Sequence, residues 1–89
     1  MHRVHLVIQG RVQGVGFRYF VLRQADTLRL AGWVRNLADG DVELEAEGDR
    51  ASLEALVEAA RRGPSSARVT NVVESWSESA PRYKRFSAQ

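Results

Sequence analysis

Apolar and polar residues alternate at the start of the chain and then change to a helical period. In "RVHLVIQG", residues 3–10, Val4, Leu6 and Ile8 alternate with mostly polar neighbours, which predicts a strand with one buried face. A glycine-rich stretch follows. In residues 17–30 the apolar side chains then recur at helical spacing: Phe17, Phe20, Val21, Ala25 and Leu28.

Residues 31–48, "AGWVRNLADGDVELEAEG", predict a β-hairpin. Its turn is placed at Asp39-Gly40, a residue pair that favours tight turns. The second arm alternates strictly, so one set of side chains faces the core: Val42, Leu44 and Ala46. The other set is acidic, and we expect it to form a solvated strand face: Glu43, Glu45 and Glu47.

The second half of the chain predicts one helix and one or two strands. Asp49 is the expected N-cap of a helix that ends at Gly63-Pro64. "ARVTNVVESW", residues 67–76, alternates irregularly, which predicts a strand with a bulge. A short edge strand is expected around Phe86. The buried stripe of the helix is predicted to contain Leu53, Leu56, Val57 and Ala60.

The resulting order of elements is β-α-β-β-α-β, with a short strand added at the end. Right-handed crossovers place both helices on the same face of an antiparallel sheet. The sequence therefore predicts an α+β, ferredoxin-like sandwich. At 89 residues, the chain is expected to be a single domain over residues 1–89.

Composition narrows the class of protein further. The chain has no cysteine, so disulfides and cysteine-based metal sites are excluded. The apolar stretch in residues 1–10 is too short and too interrupted for a signal peptide, and no stretch approaches the length of a membrane span. We expect a cytoplasmic monomer with no membrane partner.

The net charge of +2 is unevenly distributed along the sequence. Residues 2–38 carry +5, residues 39–58 carry −7 and residues 59–89 carry +4. The basic excess around the glycine-rich stretch would attract small anions. A nucleic-acid footprint is disfavoured because the acidic middle third belongs to the same small domain.

The stretch "GRVQGVGFR", residues 10–18, is the strongest candidate for a ligand site. It matches neither the dinucleotide-binding fingerprint nor the P-loop. What it offers is a loop of free main-chain amides at the N-terminus of a helix, with Arg18 in the first helical turn. A guanidinium is a planar fork that fits two oxygens of a phosphate. The sequence thus predicts a site for a phosphoryl group.

The loop holds no side chain suited to nucleophilic or acid catalysis. His2 and His5 lie at the start of the first strand and are interpreted as strand-surface residues. No cluster with metal-ligand spacing lies near the loop. Such a site fits a substrate whose leaving group needs no proton, and a carboxylate with a pKa of about 4 meets that requirement. We therefore expect a mixed carboxylic-phosphoric anhydride, without a metal or cofactor.

Residues 8–18, "IQGRVQGVGFR", and residues 32–48, "GWVRNLADGDVELEAEG", closely resemble the two signature stretches of the acylphosphatases. Residues 56–72 are also similar to that family's second helix and following strand. The resemblance implies a metal-free hydrolase that cleaves acyl phosphates to a carboxylate and inorganic phosphate. From the predicted phosphoryl site we also expect inorganic phosphate to be an inhibitor. It implies that Arg18 binds the phosphoryl group and that Asn36 orients the attacking water. The implied phosphate-binding residues are Gln13, Gly14, Val15, Gly16, Phe17 and Arg18.

The chain departs from the family pattern at two places. Arg29 stands where the family usually has a glycine, at an expected cost of about 1 kcal/mol if the residue is left-handed. The C-terminal "YKRFSAQ", residues 83–89, lacks the expected final aromatic residue, which makes the last strand the least secure element. Neither departure touches Arg18 or Asn36.

Three alternatives stay open beside a hydrolase. A non-catalytic anion- or metabolite-binding module on the same fold would differ only in lacking turnover. An RNA-binding domain of the same strand order would need aromatic residues on the open sheet face, where the alternation puts glutamates. An accessory domain of large maturation proteins shares the glycine-loop motif, and the length of the chain argues against it.

Overall fold

The chain folds into two helices and five strands in the computed structural model, which describes residues 1–78 and 80–89. The order of elements confirms the prediction, including the short final strand. Neither helix in these two ranges is long and apolar enough to cross a membrane. The elements are β1 (His2–Arg11), α1 (Phe17–Thr27), β2 (Ala31–Asn36), β3 (Val42–Gly48), α2 (Arg50–Arg62), β4 (Arg68–Glu78) and β5 (Phe86–Ala88).

The strands form one sheet in the order β4-β1-β3-β2-β5. The first four are antiparallel to their neighbours, as predicted. The short fifth strand, whose direction the sequence did not predict, runs parallel to β2, with Gly32 opposite Phe86. Main-chain hydrogen bonds hold it there at both ends, from the N–H of Gly32 to Arg85 O at 3.0 Å and from that of Gln89 to Val34 O at 2.8 Å.

Both helices cover the same face of the sheet. Val4, Leu6 and Ile8 of β1 are fully buried, as the alternation predicts. They belong to one apolar core with the inward residues of α1 and α2, so the ferredoxin-like sandwich is confirmed. The helical members of this core are Phe17, Val21, Ala25, Leu53, Leu56, Val57 and Ala60.

The opposite face of the sheet is not simply solvated, which corrects the expectation for its glutamates. Glu47 is only 3% exposed. Its carboxylate accepts hydrogen bonds from Arg3 Nη2 at 2.8 Å and from the N–H groups of Arg82 and Tyr83 at 2.6 and 2.7 Å. Residues 80–83 therefore lie over this face before the chain enters β5. Strand periodicity shows that Glu47 points away from the core, but it does not reveal that a later segment covers it.

The other two glutamates of β3 are partly buried and also paired. Glu43 lies 2.7 Å from both His5 Nε2 and Arg35 Nε. Glu45 accepts a hydrogen bond from the Tyr83 hydroxyl. Burial opposes the ionisation of Glu43, but the bonds from His5 and Arg35 outweigh it and lower its pKa. His5 is thus part of the sheet surface, as interpreted from the sequence.

The two tryptophans lie on opposite faces of the sheet. Trp33 is on the open face, where its Nε1 donates to the Tyr83 hydroxyl at 3.1 Å and the Arg35 guanidinium lies 5.0 Å from its ring centre. Trp76 is partly buried against the edge of the core, under the guanidinium of Arg50 at 4.0 Å. Both side chains therefore serve as packing residues of the sheet.

The predicted bulge lies where β1 meets β4. The register shifts between Gln9 and Gly10, so that Thr70 of β4 has no partner in β1. Gly10 has φ +128°, and a Cβ there would come within 2.1 Å of Arg68 O. Only glycine fits this close approach, just before the chain leaves the sheet for the loop.

Arg29 adopts a left-handed conformation, with φ 57°, immediately after α1. It is the one non-glycine residue with positive φ in the described part of the chain. The expected strain at this position is therefore present. At α2, Asp49 stands at the N-cap position as predicted, although its side chain makes no capping hydrogen bond.

Candidate functional site

The glycine loop joins the end of β1 to the start of α1. Gly14 and Gly16 are both left-handed, with φ +74° and +78°, and a Cβ at either would meet nothing within 4 Å. The need for glycine here is conformational and not steric. Gly16 is also the N-cap of α1, so the free N–H groups of the first helical turn open toward the loop.

A small cavity of about 90 Å³ lies at this loop. It offers several times the ~10–15 Å³ that one water requires, which suits a small tetrahedral anion. Arg18 from α1 and Asn36 from β2 both line it, so the two predicted catalytic residues come together although they are far apart in sequence. The lining consists of Val12, Gly14, Gly16, Phe17, Arg18, Tyr19 and Asn36.

Arg18 is the second residue of α1, and its side chain is exposed. Its Nη1 donates to the main-chain oxygen of Gln89 at 2.6 Å. That oxygen is held beside β2 because the Gln89 N–H bonds to Val34 O. A guanidinium has five N–H donors, so this contact orients Arg18 and leaves donors for a ligand.

Asn36 ends β2 at the edge of the cavity and is exposed. No hydrogen bond joins its side chain to any other residue within 1–78 and 80–89. Within the described residues, Asn36 is therefore not held by a side-chain hydrogen bond to a nearby main-chain group. Its amide is able both to donate to and to accept from a bound ligand or water.

Gln13 and Val15 do not line the cavity with their side chains. Gln13 Nε2 donates to Leu37 O and Asp41 O, at 2.7 and 2.9 Å, and so ties the loop to the β2–β3 turn. Val15 O accepts from the Ser66 hydroxyl at 3.1 Å. Their expected role as phosphate ligands through main-chain amides stays a prediction.

Two residues of the cavity were missed from the sequence, Val12 and Tyr19. Val12 is buried directly after β1, where its apolar side chain resembles any strand residue. Tyr19 is a large aromatic residue next to Arg18, and it is 71% exposed. That position, off the buried stripe of α1 and beside Arg18, was the signal that could have identified it.

A larger cavity of about 360 Å³ lies between α2 and β4, away from the loop. Both of its arginines are paired with carboxylates: Arg50 with Glu54, and Arg61 with Glu74. It therefore lacks the free positive charge of the loop. No group of three or more metal-ligating side chains occurs among the described residues.

The fold and the loop together define a class: a small ferredoxin-like protein with a cavity formed by a helix N-terminus and one arginine, an arrangement whose chemistry suits an oxyanion. Comparison with known proteins makes the assignment specific. A sequence model of the acylphosphatase family matches residues 4–88. The chain belongs to the acylphosphatase family.

Individual relatives agree with this assignment. The chain is 52% identical to an acylphosphatase of Salinibacter ruber over 84 residues, which cover 94% of this chain and 88% of that protein. The crystal structure of acylphosphatase from Bacillus subtilis superposes with a TM-score of 0.96 at 45% identity, covering 100% of this chain and 99% of the other. An acylphosphatase structure from Coxiella burnetii gives 0.91 at 41% identity, with 98% and 90% covered.

Proposed function

We propose that this protein hydrolyses acyl phosphates to a carboxylate and inorganic phosphate. The observation that carries the proposal is the cavity at the glycine loop, where the Arg18 guanidinium and the Asn36 amide face the same small volume. Membership in the acylphosphatase family supports the same reaction.

The phosphoryl group is bound by Arg18 and by the main-chain amides between Gln13 and Arg18. Preorganised donors of this kind stabilise charge on phosphoryl oxygens as it develops in the transition state. Asn36 accepts a hydrogen bond from a water molecule and orients it. The water oxygen then points at phosphorus from the side opposite the acyl oxygen. Neither residue needs to change its protonation state for this.

The bond from the water oxygen to phosphorus forms while the bond from phosphorus to the acyl oxygen breaks. The carboxylate leaves without a proton because its conjugate acid has a pKa of about 4. One proton of the attacking water passes to an oxygen of the phosphoryl group itself, and the other stays on the attacking oxygen in the product phosphate. This route fits a cavity whose lining includes no carboxylate and no histidine.

The test is hydrolysis of acetyl phosphate and benzoyl phosphate in EDTA, measured beside hydrolysis of a simple phosphate monoester. A large preference for the anhydrides is expected, because a monoester must expel an alkoxide without a general acid. Phosphate binding without any turnover would support the alternative, a non-catalytic anion-binding module.

We also propose that residues 1–89 form one domain that acts as a cytoplasmic monomer and is competitively inhibited by inorganic phosphate. One apolar core unites both helices with all five strands among the described residues, which supports the single domain. Competitive inhibition is expected because product phosphate offers the same oxygens as the substrate to Arg18 and the main-chain amides of the loop.

A further inference from the structure

A second cavity adjoins the candidate site along the outer side of α1. Its volume is about 430 Å³. It shares the lining residues Gly16 and Tyr19 with the smaller cavity, so the two cavities are neighbours on either side of these residues. We call it the α1 groove, and its lining is Gly16, Tyr19, Phe20, Arg23, Gln24 and Pro64.

The α1 groove combines apolar walls with one cation. Tyr19, Phe20 and Pro64 supply the apolar surface. Arg23 lies four residues after Tyr19 on the same helix, which places it about 6 Å farther from the glycine loop along the helix axis. Its side chain is exposed and makes no ion pair with any residue in 1–78 or 80–89.

An acyl phosphate bound with its phosphoryl group at Arg18 must place its acyl chain in some direction from the small cavity. The α1 groove is the adjoining space, and Tyr19 forms a wall common to both. An acyl chain that follows this wall for one helical turn reaches Arg23. A guanidinium with no protein partner at that point would favour an anionic end on the chain.

We infer that the α1 groove binds the acyl part of the substrate and that Arg23 binds a second anionic group at its far end. This inference rests on the proposed hydrolysis of acyl phosphates. It narrows the substrate class to acyl phosphates of short dicarboxylic acids, or of similar acids with an anionic end. Arg23 is then a specificity residue, which contacts the substrate away from the reacting atoms.

The test compares succinyl phosphate with butanoyl phosphate, which have the same four-carbon chain and differ in the terminal carboxylate. In Arg23→Gln the ratio of kcat/KM for succinyl over butanoyl phosphate falls about two- to fivefold, the size expected for an exposed ion pair. Arg23→Glu lowers the ratio further, since it places like charges together. The loss lies in KM, because this contact is equal in the ground and transition states.

Arg11→Gln is the matched control. Arg11 is exposed at the end of β1 and lines neither cavity, and its substitution removes the same charge close to the loop. It leaves the ratio of the two substrates unchanged. An equal fall for both substrates in Arg23→Gln and Arg11→Gln would indicate general electrostatic steering and would overturn the inference.

Different results would refute the hydrolysis of acyl phosphates and the role of Arg23. If the wild-type protein hydrolyses neither substrate, the proposed function fails and the α1 groove assignment fails with it. If the wild-type protein hydrolyses both but Arg23→Gln and Arg23→Glu keep the wild-type ratio, the proposed function stands and only the role of Arg23 is refuted.

Discussion

Arg18 and Asn36 differ in chemistry but are prepared in a similar way. Arg18 is held by one contact, to Gln89 O, and keeps other donors free. Asn36 is fixed by its place at the end of β2, with a side chain that bonds no described residue. In the proposed reaction, both residues would offer a ligand polar groups that the backbone has already positioned, which would reduce the reorganisation needed.

Arg18→Lys tests whether the planar guanidinium of Arg18, with its two parallel N–H donors, is required. Lysine keeps the charge but cannot make two parallel hydrogen bonds to a phosphoryl group or reach Gln89 O in the same geometry. We expect the fold to be kept and kcat/KM for benzoyl phosphate to fall at least about tenfold. Arg62→Lys is the control, since Arg62 is exposed at the end of α2 and lines neither cavity at α1. Wild-type kinetics in Arg18→Lys would remove Arg18 from the mechanism.

Asn36→Ala separates water positioning from phosphate binding. The substitution removes the amide but leaves Arg18 and the loop intact, so kcat is expected to fall by about two orders of magnitude. The inhibition constant of inorganic phosphate should stay close to that of the wild type. Steady-state kinetics with phosphate as inhibitor measures both. A variant that loses phosphate binding together with kcat would show that Asn36 holds the anion instead.

Arg29 offers a prediction about stability that does not involve the site. Its φ of 57° is strained for any residue with a Cβ. Arg29→Gly should raise the free energy of unfolding by up to about 1 kcal/mol, because relief of strain exceeds the added flexibility of the unfolded chain. Urea denaturation measures the change, and kcat/KM should be unaltered. A loss of stability would mean that the Arg29 side chain contributes more than its backbone costs.

At the scale of elements, the site depends on how the glycine loop is attached to the β2–β3 hairpin. The loop provides Arg18 and the hairpin strand provides Asn36, and Gln13 joins the two through Leu37 O and Asp41 O. The Ser66 hydroxyl donates a hydrogen bond to Val15 O and so attaches the loop to the connection after α2 as well. The relative position of the two catalytic candidates is therefore set by a side chain that lies outside the cavity.

Gln13→Leu removes this link while keeping the approximate size of the side chain. Two hydrogen bonds are lost, so stability should fall by about 1–3 kcal/mol. We also expect kcat to fall more than phosphate affinity, because Asn36 becomes less well placed relative to Arg18. Gln9→Leu is the matched control, as Gln9 makes one exposed hydrogen bond, to Asn71. Equal effects of the two substitutions would show that the link to the hairpin is unimportant.

Elements with clear periodicity could be predicted from the sequence, and contacts between distant segments could not. The alternation of Val4, Leu6 and Ile8 and the Asp39-Gly40 turn are local signals that the structure confirms. The parallel pairing of β5 with β2 is not local. At the site, the glycines and Arg18 stand in one short motif, but the attachment of Gln13 to the hairpin needs three-dimensional proximity.

At the scale of the whole molecule, the charge segregation along the sequence is largely cancelled in space. The acidic residues of β3 form ion pairs with arginines from the basic segments before and after them in the sequence: Glu47 with Arg3, Glu43 with Arg35, and Glu45 with Arg82. Arg11, Arg18 and Arg23 form no ion pair with an Asp or Glu side chain among the described residues, although Arg18 donates to Gln89 O. Positive charge therefore remains around the glycine loop, where it would attract an anionic substrate.

The paired glutamates make the stability of the molecule depend on pH. Burial opposes the ionisation of Glu47, but the Tyr83 N–H, Arg3 and the Arg82 N–H outweigh it and lower its pKa. The pKa of Glu43 is lowered in the same way, and that of Glu74 by bonds from Trp76 and Arg61. Between the folded and unfolded values the unfolded chain holds more protons, so stability increases with pH in that window.

We therefore expect the free energy of unfolding to be steady near neutral pH and to fall as the pH drops below about 4.5, through the lowered pKa values of the folded state. Glu47→Gln should cost about 1–3 kcal/mol at neutral pH, since the amide places a donor against Arg3. Its stability should then decline less steeply in acid than that of the wild type. Urea denaturation from neutral to acidic pH measures both curves. If the two stability curves run parallel, Glu47 contributes nothing to the acid sensitivity. The segment that lies over the open face of the sheet is then held by its other contacts.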